Sequence, residues 1–329
     1  MKEKTMKASL TLILLILSLS AFSRPSPHMR EADKVRIAEA QRLARLYTNE
    51  IWDGMGDNAF TVLLIEGENE FLINHPAPDT SFRSLGVDSL LGSEVFVRSQ
   101  RFPPNFLATF PAVNGRNCIV VGTPEQTGLP STAWIITLLH EYFHIHQYTQ
   151  PNYYQWAADL DLAKGDESGM WMLNFPFPYE NEEVQELIYE YQSALSRPDF
   201  SLEEFLHIRN TLKENLSRDD YTYFSFQLWQ EGVARYTEYA FLKNITEDQF
   251  QSSLEVQALE DFESYESYYQ TFVEREKKLL KELKLGEFKR VAFYSYGLAE
   301  AWMLDIFSPD WKKKYFTHPF QLGKLFQED

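Results

Sequence analysis

The residues most able to do chemistry are His140, Glu141 and His144, which form a His-Glu-x-x-His pattern inside LLHEYFHIHQ at positions 138–147. In a helix each residue turns by about 100°, so His140 and His144 leave the axis only about 40° apart, one turn from each other. Two imidazoles so placed can grip one metal ion. Glu141 points roughly 100° away from His140, off the ligand plane but within reach of a water on that metal. Such a set suits a zinc hydrolase, in which the metal acidifies a water and the carboxylate takes its proton.

A catalytic zinc usually takes three protein ligands and keeps one position for water. A third histidine in the register HExxHxxGxxH is ruled out, because Gln147 and Gln150 stand at the Gly and His positions. His207 and His318 lie in segments with no supporting pattern. Glu231, in LWQEGVARY at 228–236, is the better candidate: the small residues Gly232 and Ala234 beside it let a helix approach another closely. Glu167, in the loop Gly165–Gly169, competes for the same role.

HEYFH followed by Glu-Gly-x-Ala-x-Tyr resembles the gluzincin class of zinc metallopeptidases, in which a helix carrying a Glu ligand packs on the HExxH helix. The resemblance covers two helices and their flanks. It implies zinc held by His140, His144 and Glu231, with Glu141 as general base. Within the same likeness, FYSYGLAEA at 293–301 resembles a Tyr-x-x-Gly helix start, which makes Tyr294 the first choice of oxyanion donor and Tyr296 the second. The chain also departs from the class. His144 and Glu231 are 87 residues apart, where the best-known members have a Glu about 20 residues on. The position four residues after the ligand, an Asp in thermolysin-like enzymes, is Arg235, which leaves Glu238 as the acid able to steady His140. No Gly-x-Met-Glu-Asn element precedes the zinc helix.

Several elements must position these groups. The apolar flanks Trp134, Ile135, Ile136, Leu138, Leu139, Phe143 and Ile145 predict a buried helix over 131–148, capped by Ser131 or Thr132. Upstream, helical spacing of apolar residues predicts an amphipathic helix over about 31–52, closed by Gly54 and Gly56. Hairpins follow at 61–65 with 70–74 and at 106–113 with 117–121, the latter around Asn114-Gly115, with a further strand at 94–98. In zinc peptidases of the resembled architecture an edge strand lies beside the metal and can accept an extended substrate as one more strand. The aromatic stretch 152–181 reads as irregular and as a wall or lid over the cleft. Helices are predicted at 182–197, 202–217, 219–245, 265–284 and 288–307, the last closed by Pro309.

The predicted class is therefore α+β: a small N-terminal mixed lobe with antiparallel strands (24–130), then a mainly helical lobe (131–329). The zincin likeness places the HExxH helix at the seam. Residues 1–23, a basic start, an apolar run from Ala8 to Phe22 and a small-x-small site at Ala21–Ser23, read as a secretory signal peptide. Its removal moves the net charge from −17 to −19, and such an acidic surface repels phosphate backbones, so nucleic acid is a poor partner. No later stretch is long and apolar enough to span a bilayer. Cys118, the sole cysteine, precludes an internal disulfide and reads as a buried structural thiol. The sequence thus points to a secreted or periplasmic zinc peptidase acting on a peptide or protein. A zinc hydrolase of a non-peptide amide or ester, and a non-catalytic protein with a degenerate site, stay open as alternatives.

Overall fold

Val62, Leu63, Leu64 and Ile65 form an unbroken apolar run, the pattern of a strand buried on both faces. In the computed structural model, which describes residues 27–197 and 201–327, this run is the strand β1 (Val62–Glu66) of a six-stranded sheet. The other strands are β2 (Asn69–Ile73), β3 (Arg83–Asp88), β4 (Ser93–Ser99), β5 (Leu107–Val113) and β6 (Arg116–Gly122), in the order β3-β4-β2-β1-β6-β5. Both predicted hairpins and the strand near 94–98 are present. The predicted signal peptide lies outside the described residues.

The lobe was expected to hold an antiparallel sheet; the sheet is mixed. Four of its pairings are antiparallel, but β1 and β6 run parallel, with Val62 opposite Ile119 and Ile65 opposite Gly122. That pairing joins the two hairpins at the centre, where both strands are apolar enough to be covered on either side. β3 is an addition: its exposed residues and the Gly86 irregularity give no alternating pattern from which to predict it. Val62, Leu64, Phe71, Ile73, Val95, Val97, Ile119 and Val121 face the helices. Leu63, Ile65, Leu72, Cys118 and Val120 face the other way, under Phe102, Phe106 and Phe110. Cys118 is fully buried there, and burial pushes its thiol up to about 12, as a structural thiol requires.

The HExxH helix α2 (Ser131–Tyr148) lies on β5 and β6, and α1 (Glu31–Ile51) packs along α2 and shares the core with the inner sheet face. Of the 18 residues of α2, 16 are buried, so it is a central helix packed on strands and on helices alike. Neither Ser131 nor Thr132 caps it through its own side chain; the N-cap is Pro130. The cap comes from afar instead: Asp261 accepts from the Ser131 backbone N–H at 2.9 Å and from its hydroxyl, putting an acid at the positive end of the helix.

The remainder is mostly helical. α3 (Glu182–Ser196), α4 (Leu202–Asn215), α5 (Arg218–Gln227), α6 (Val233–Glu247), α7 (Tyr265–Glu282) and α8 (Ala292–Phe307) match the predicted positions, and α8 ends just before Pro309. Asn181, Ser201, Ser217 and Ser264 cap α3, α4, α5 and α7 through their side chains. α5 and α6 are one continuous rod interrupted by a single π turn at Leu228–Gly232. The stretch 152–181 is more regular than expected, with short helices at Tyr153–Asp159 and Trp171–Asn174. It is pinned to α5, where Tyr223 and Gln227 both donate to the Met172 carbonyl at 2.9 and 2.7 Å. One core runs from the inner sheet face through α2 into these helices. The architecture is α+β, with the sheet in the N-terminal part and helices beyond it.

Candidate metal centre

α2 carries His140 and His144 one turn apart on its buried face, with Nε2 atoms 3.1 Å from each other. The π turn supplies the third group. Its wider winding shifts the register of the rod by one residue, and π turns recur at functional sites. Here Glu231 and, seven residues on, Glu238 both face α2. Glu231 Oε2 lies 3.4 Å from His144 Nε2 and 3.7 Å from His140 Nε2. Among the described residues, His140, His144 and Glu231 form the group able to hold a metal ion, their ligand atoms all within 4.8 Å of one another. Glu167 stays in its exposed loop, outside that group.

The hydrogen bonds around the imidazoles fix which nitrogen faces inward. Glu238 Oε1 lies 2.7 Å from His140 Nδ1, and a carboxylate only accepts, so Nδ1 carries a proton and, in the neutral ring, Nε2 presents a lone pair. Arg235 holds that carboxylate in turn, at 2.8 Å. Gln147 Oε1 lies 2.7 Å from His144 Nδ1. The amide cannot be turned round, because its nitrogen donates to the Gln230 carbonyl at 3.1 Å and to the Tyr315 hydroxyl at 2.8 Å. Gln230 reinforces it, donating to Gln147 Oε1 at 2.9 Å while accepting from Tyr153 at 2.8 Å. With both imidazoles neutral, three acceptor atoms converge, an arrangement that calls for positive charge, met by a metal ion or, without one, by a proton on His140 Nε2.

The field in the pocket says the same. Burial lowers the pKa of His140, but the carboxylates of Glu231 and Glu238 outweigh it and hold it up to about 10. Glu231 is likewise buried, which raises it, yet His144, His140 and Arg290 keep it well below the usual carboxylate range. A dication satisfies both demands. With bonds of about 2.0–2.1 Å, zinc in a tetrahedron sets its ligand atoms about 3.4 Å apart, and the separations of 3.1, 3.4 and 3.7 Å bracket that edge. Two nitrogens and one carboxylate oxygen are also the donor types zinc takes, so the residues fit the ion.

Glu141, in the same helix, is 4% exposed, and its Oε2 is buried with no hydrogen-bond partner. Its backbone carbonyl accepts from Thr109 at 2.9 Å, which lashes α2 to β5, an outermost strand of the sheet. Tyr294 stacks on His140 with ring centroids 6.0 Å apart and planes 8° from parallel. Burial and the Glu231 carboxylate keep its phenol protonated, well above the ordinary value. Tyr296, the second choice, is committed elsewhere: it is fully buried and its hydroxyl donates to Gln192 at 2.8 Å.

Arg290 reaches the centre from the turn before α8, 3.4 Å from Glu231 Oε1 and 3.1 Å from the Tyr294 hydroxyl. The preceding Lys289 holds φ 48° and ψ −131°, a conformation that costs an L-residue on the order of 1–3 kcal/mol. Gly232 and Gly297 bring the π turn against α8, since a Cβ on Gly232 would sit 2.4 Å from Gly297 Cα. Sequence reasoning missed Gln147, Gln230, Tyr153, Tyr315 and Arg290. Gln147 alone left a signal, being three residues after His144 on the same helical face. The others arrive through folding. No family model matches the chain, and neither a curated protein nor a solved structure shows a significant match to it.

Proposed function

We propose that the chain is a zinc-dependent peptidase of the gluzincin kind, with a zincin-like fold, exported by its N-terminal leader and acting on peptides or proteins. The observation that carries this reading is the convergence of His140, His144 and Glu231, with the Glu141 carboxylate of the same helix near enough to raise the pKa of His140 and one of its oxygens buried and unpartnered. A structural metal site is usually closed by four protein ligands; this group offers three and adds a spare carboxylate.

A bound zinc supplies Lewis acidity, polarising the scissile carbonyl and bringing the pKa of a water toward about 7. Glu141 Oε2 takes the proton of the attacking water and passes it to the leaving amine as the C–N bond breaks. Tyr294 accepts from Arg290 and turns its own O–H toward the Glu231 carboxylate, from which it would swing to donate to the oxyanion. Glu238 and Gln147 keep both Nδ1 protons in place and so hold the two imidazoles in ligating register. β5, unpaired on its outer side among the described residues, offers an edge along which an extended substrate adds as a further strand.

The deciding experiment is cleavage of a peptide library by the purified chain, with and without a chelator, alongside Glu141→Gln. Cleavage that the chelator stops and zinc restores is the expected result, with Glu141→Gln holding one metal per chain and turning over nothing. Turnover by Glu141→Gln would remove the general base, and wild-type protein that binds zinc yet cleaves no peptide would remove the peptidase reading.

A further inference from the structure

The cleft contains a cation that zinc chemistry does not consume. Arg290 is mostly withdrawn from solvent, with 23% of its side chain exposed, and only Nη1 is engaged, by Glu231 and by the Tyr294 hydroxyl. Among the described residues, Nε and Nη2 have no hydrogen-bond acceptor. A guanidinium presents five donors in a planar fork that matches a carboxylate, and Nε and Nη2, which the protein leaves unengaged and which reach solvent, are placed to take one. The contact to Glu231 is long for a charged pair, and Glu231 turns its other oxygen to the imidazoles. Holding the metal ligand is therefore not the whole use of this side chain.

Its placement is also forced. Lys289 sits in a backbone region that L-residues avoid, and strain of this sort gathers at ligand clamps. Tyr294 stands between two guanidinium groups, with Arg290 Cζ 5.5 Å and Arg235 Cζ 5.8 Å from its ring centroid. Arg235, however, has two acids to balance its charge, Glu238 at 2.8 Å and Glu276 at 3.8 Å. Arg290 has one, Glu231 at 3.4 Å, which it shares with the imidazoles, and it stands next to the residue proposed to stabilise the oxyanion.

We infer that Arg290 is a specificity determinant that binds a carboxylate of the substrate next to the scissile bond. This inference rests on the peptidase reading. Two peptide features carry the required chemistry, the free C-terminus and an acidic side chain, and the test separates them. One pair of otherwise identical peptides ends in a free carboxylate or in an amide; a second pair, with blocked termini, carries Glu or Gln next to the cleaved bond.

For the full chain with zinc, kcat/KM should favour the carboxylate member of one pair by at least tenfold, chiefly through KM, and the pair that responds names the source. Arg290→Gln should bring that ratio close to one, and Arg290→Lys should restore part of it. If Arg290 served only to brace Glu231, its variants would lower both members equally and release metal, so the ratio separates the two roles. Equal kcat/KM for both members of both pairs, or an unchanged ratio in Arg290→Gln, overturns the inference while leaving the peptidase reading intact. Calorimetric binding of the same pairs to Glu141→Gln gives a readout without turnover: the carboxylate member should bind at least tenfold tighter, and equal binding overturns the inference as well. Failure of the wild type to cleave any peptide sinks the peptidase reading instead, and the calorimetric comparison still decides the anion site.

Discussion

The contact between Gly232 and Gly297 yields a prediction in which two physical effects have opposite signs. Both glycines lie in helical segments with ordinary negative φ, so helix propensity alone says that alanine should stabilise by about 0.5–1 kcal/mol. The packing says otherwise. A Cβ on Gly297 would lie 2.5 Å from the Leu228 carbonyl oxygen and 2.6 Å from Gly232 Cα, all backbone atoms with no side chain to swing aside. Restoring ordinary contact requires α8 and the π turn to part by roughly 1 Å, and overpacking of this kind costs about 3 kcal/mol. The clash outweighs propensity by a factor of three or more. Gly297→Ala should therefore lower Tm by about 5 °C, at about 2 °C per kcal/mol for a large domain.

Because metal sites tolerate displacements of only about 0.2 Å, and Glu231 immediately precedes Gly232, zinc affinity should fall at least tenfold. Thermal melts of the metal-free protein and competition with a chromophoric chelator read the two effects separately. Gly232→Ala meets the same contact from the other side, so the double variant should cost clearly less than the two singles added. A Gly297→Ala protein that melts at or above the wild-type temperature would refute the close-approach argument.

Further outcomes follow from the same geometry. Glu238→Gln replaces the acceptor that orients His140 and should weaken zinc binding by about 10–100-fold, measured by chelator competition. Tyr294→Phe should lower kcat by about 10²–10³-fold with metal stoichiometry unchanged, whereas Tyr296→Phe should leave kcat alone and cost about 1 kcal/mol in denaturant melts for the lost bond to Gln192. Cys118 is held up to about 12 when folded against about 9 when unfolded, so its contribution to stability is complete below pH 9 and is lost as pH rises from 9 toward 12. The stability gap between wild type and Cys118→Ala should accordingly shrink by about 1.4 kcal/mol per pH unit above 9 in urea melts, and a gap constant from pH 8 to 10.5 would contradict the buried assignment.

Local pattern carried a large part of this structure. The pairing of His140 with His144 on one face depends only on the angle between residues four apart, and the burial of α2 only on its apolar flanks, so both were legible in the chain. The hairpins around Gly67 and Asn114-Gly115, the long helices and the buried state of Cys118 were legible for the same reason: periodicity and turn chemistry act over a few residues. The proposal of Glu231 rested on its small neighbours and on a resemblance, and the geometry places it beside both imidazoles.

Tertiary structure decided what depends on distant segments meeting. The parallel join of β1 to β6 has no turn to announce it, and β3 has no alternation to reveal it. The cap on α2 comes from Asp261, about 130 residues downstream of Ser131. A one-residue π insertion aims Glu231 and Glu238 at α2, and no propensity records such a wide turn. Gln147 and Glu238 select the inward nitrogens, Tyr296 is taken by the core while Tyr294 is left at the centre, and Arg290 is thrust into the cleft by its strained neighbour. Sequence specifies which side chains can ligate and where helices begin, because those are short-range properties; the shape and charge of the pocket are set by packing, which acts only once the chain has closed on itself.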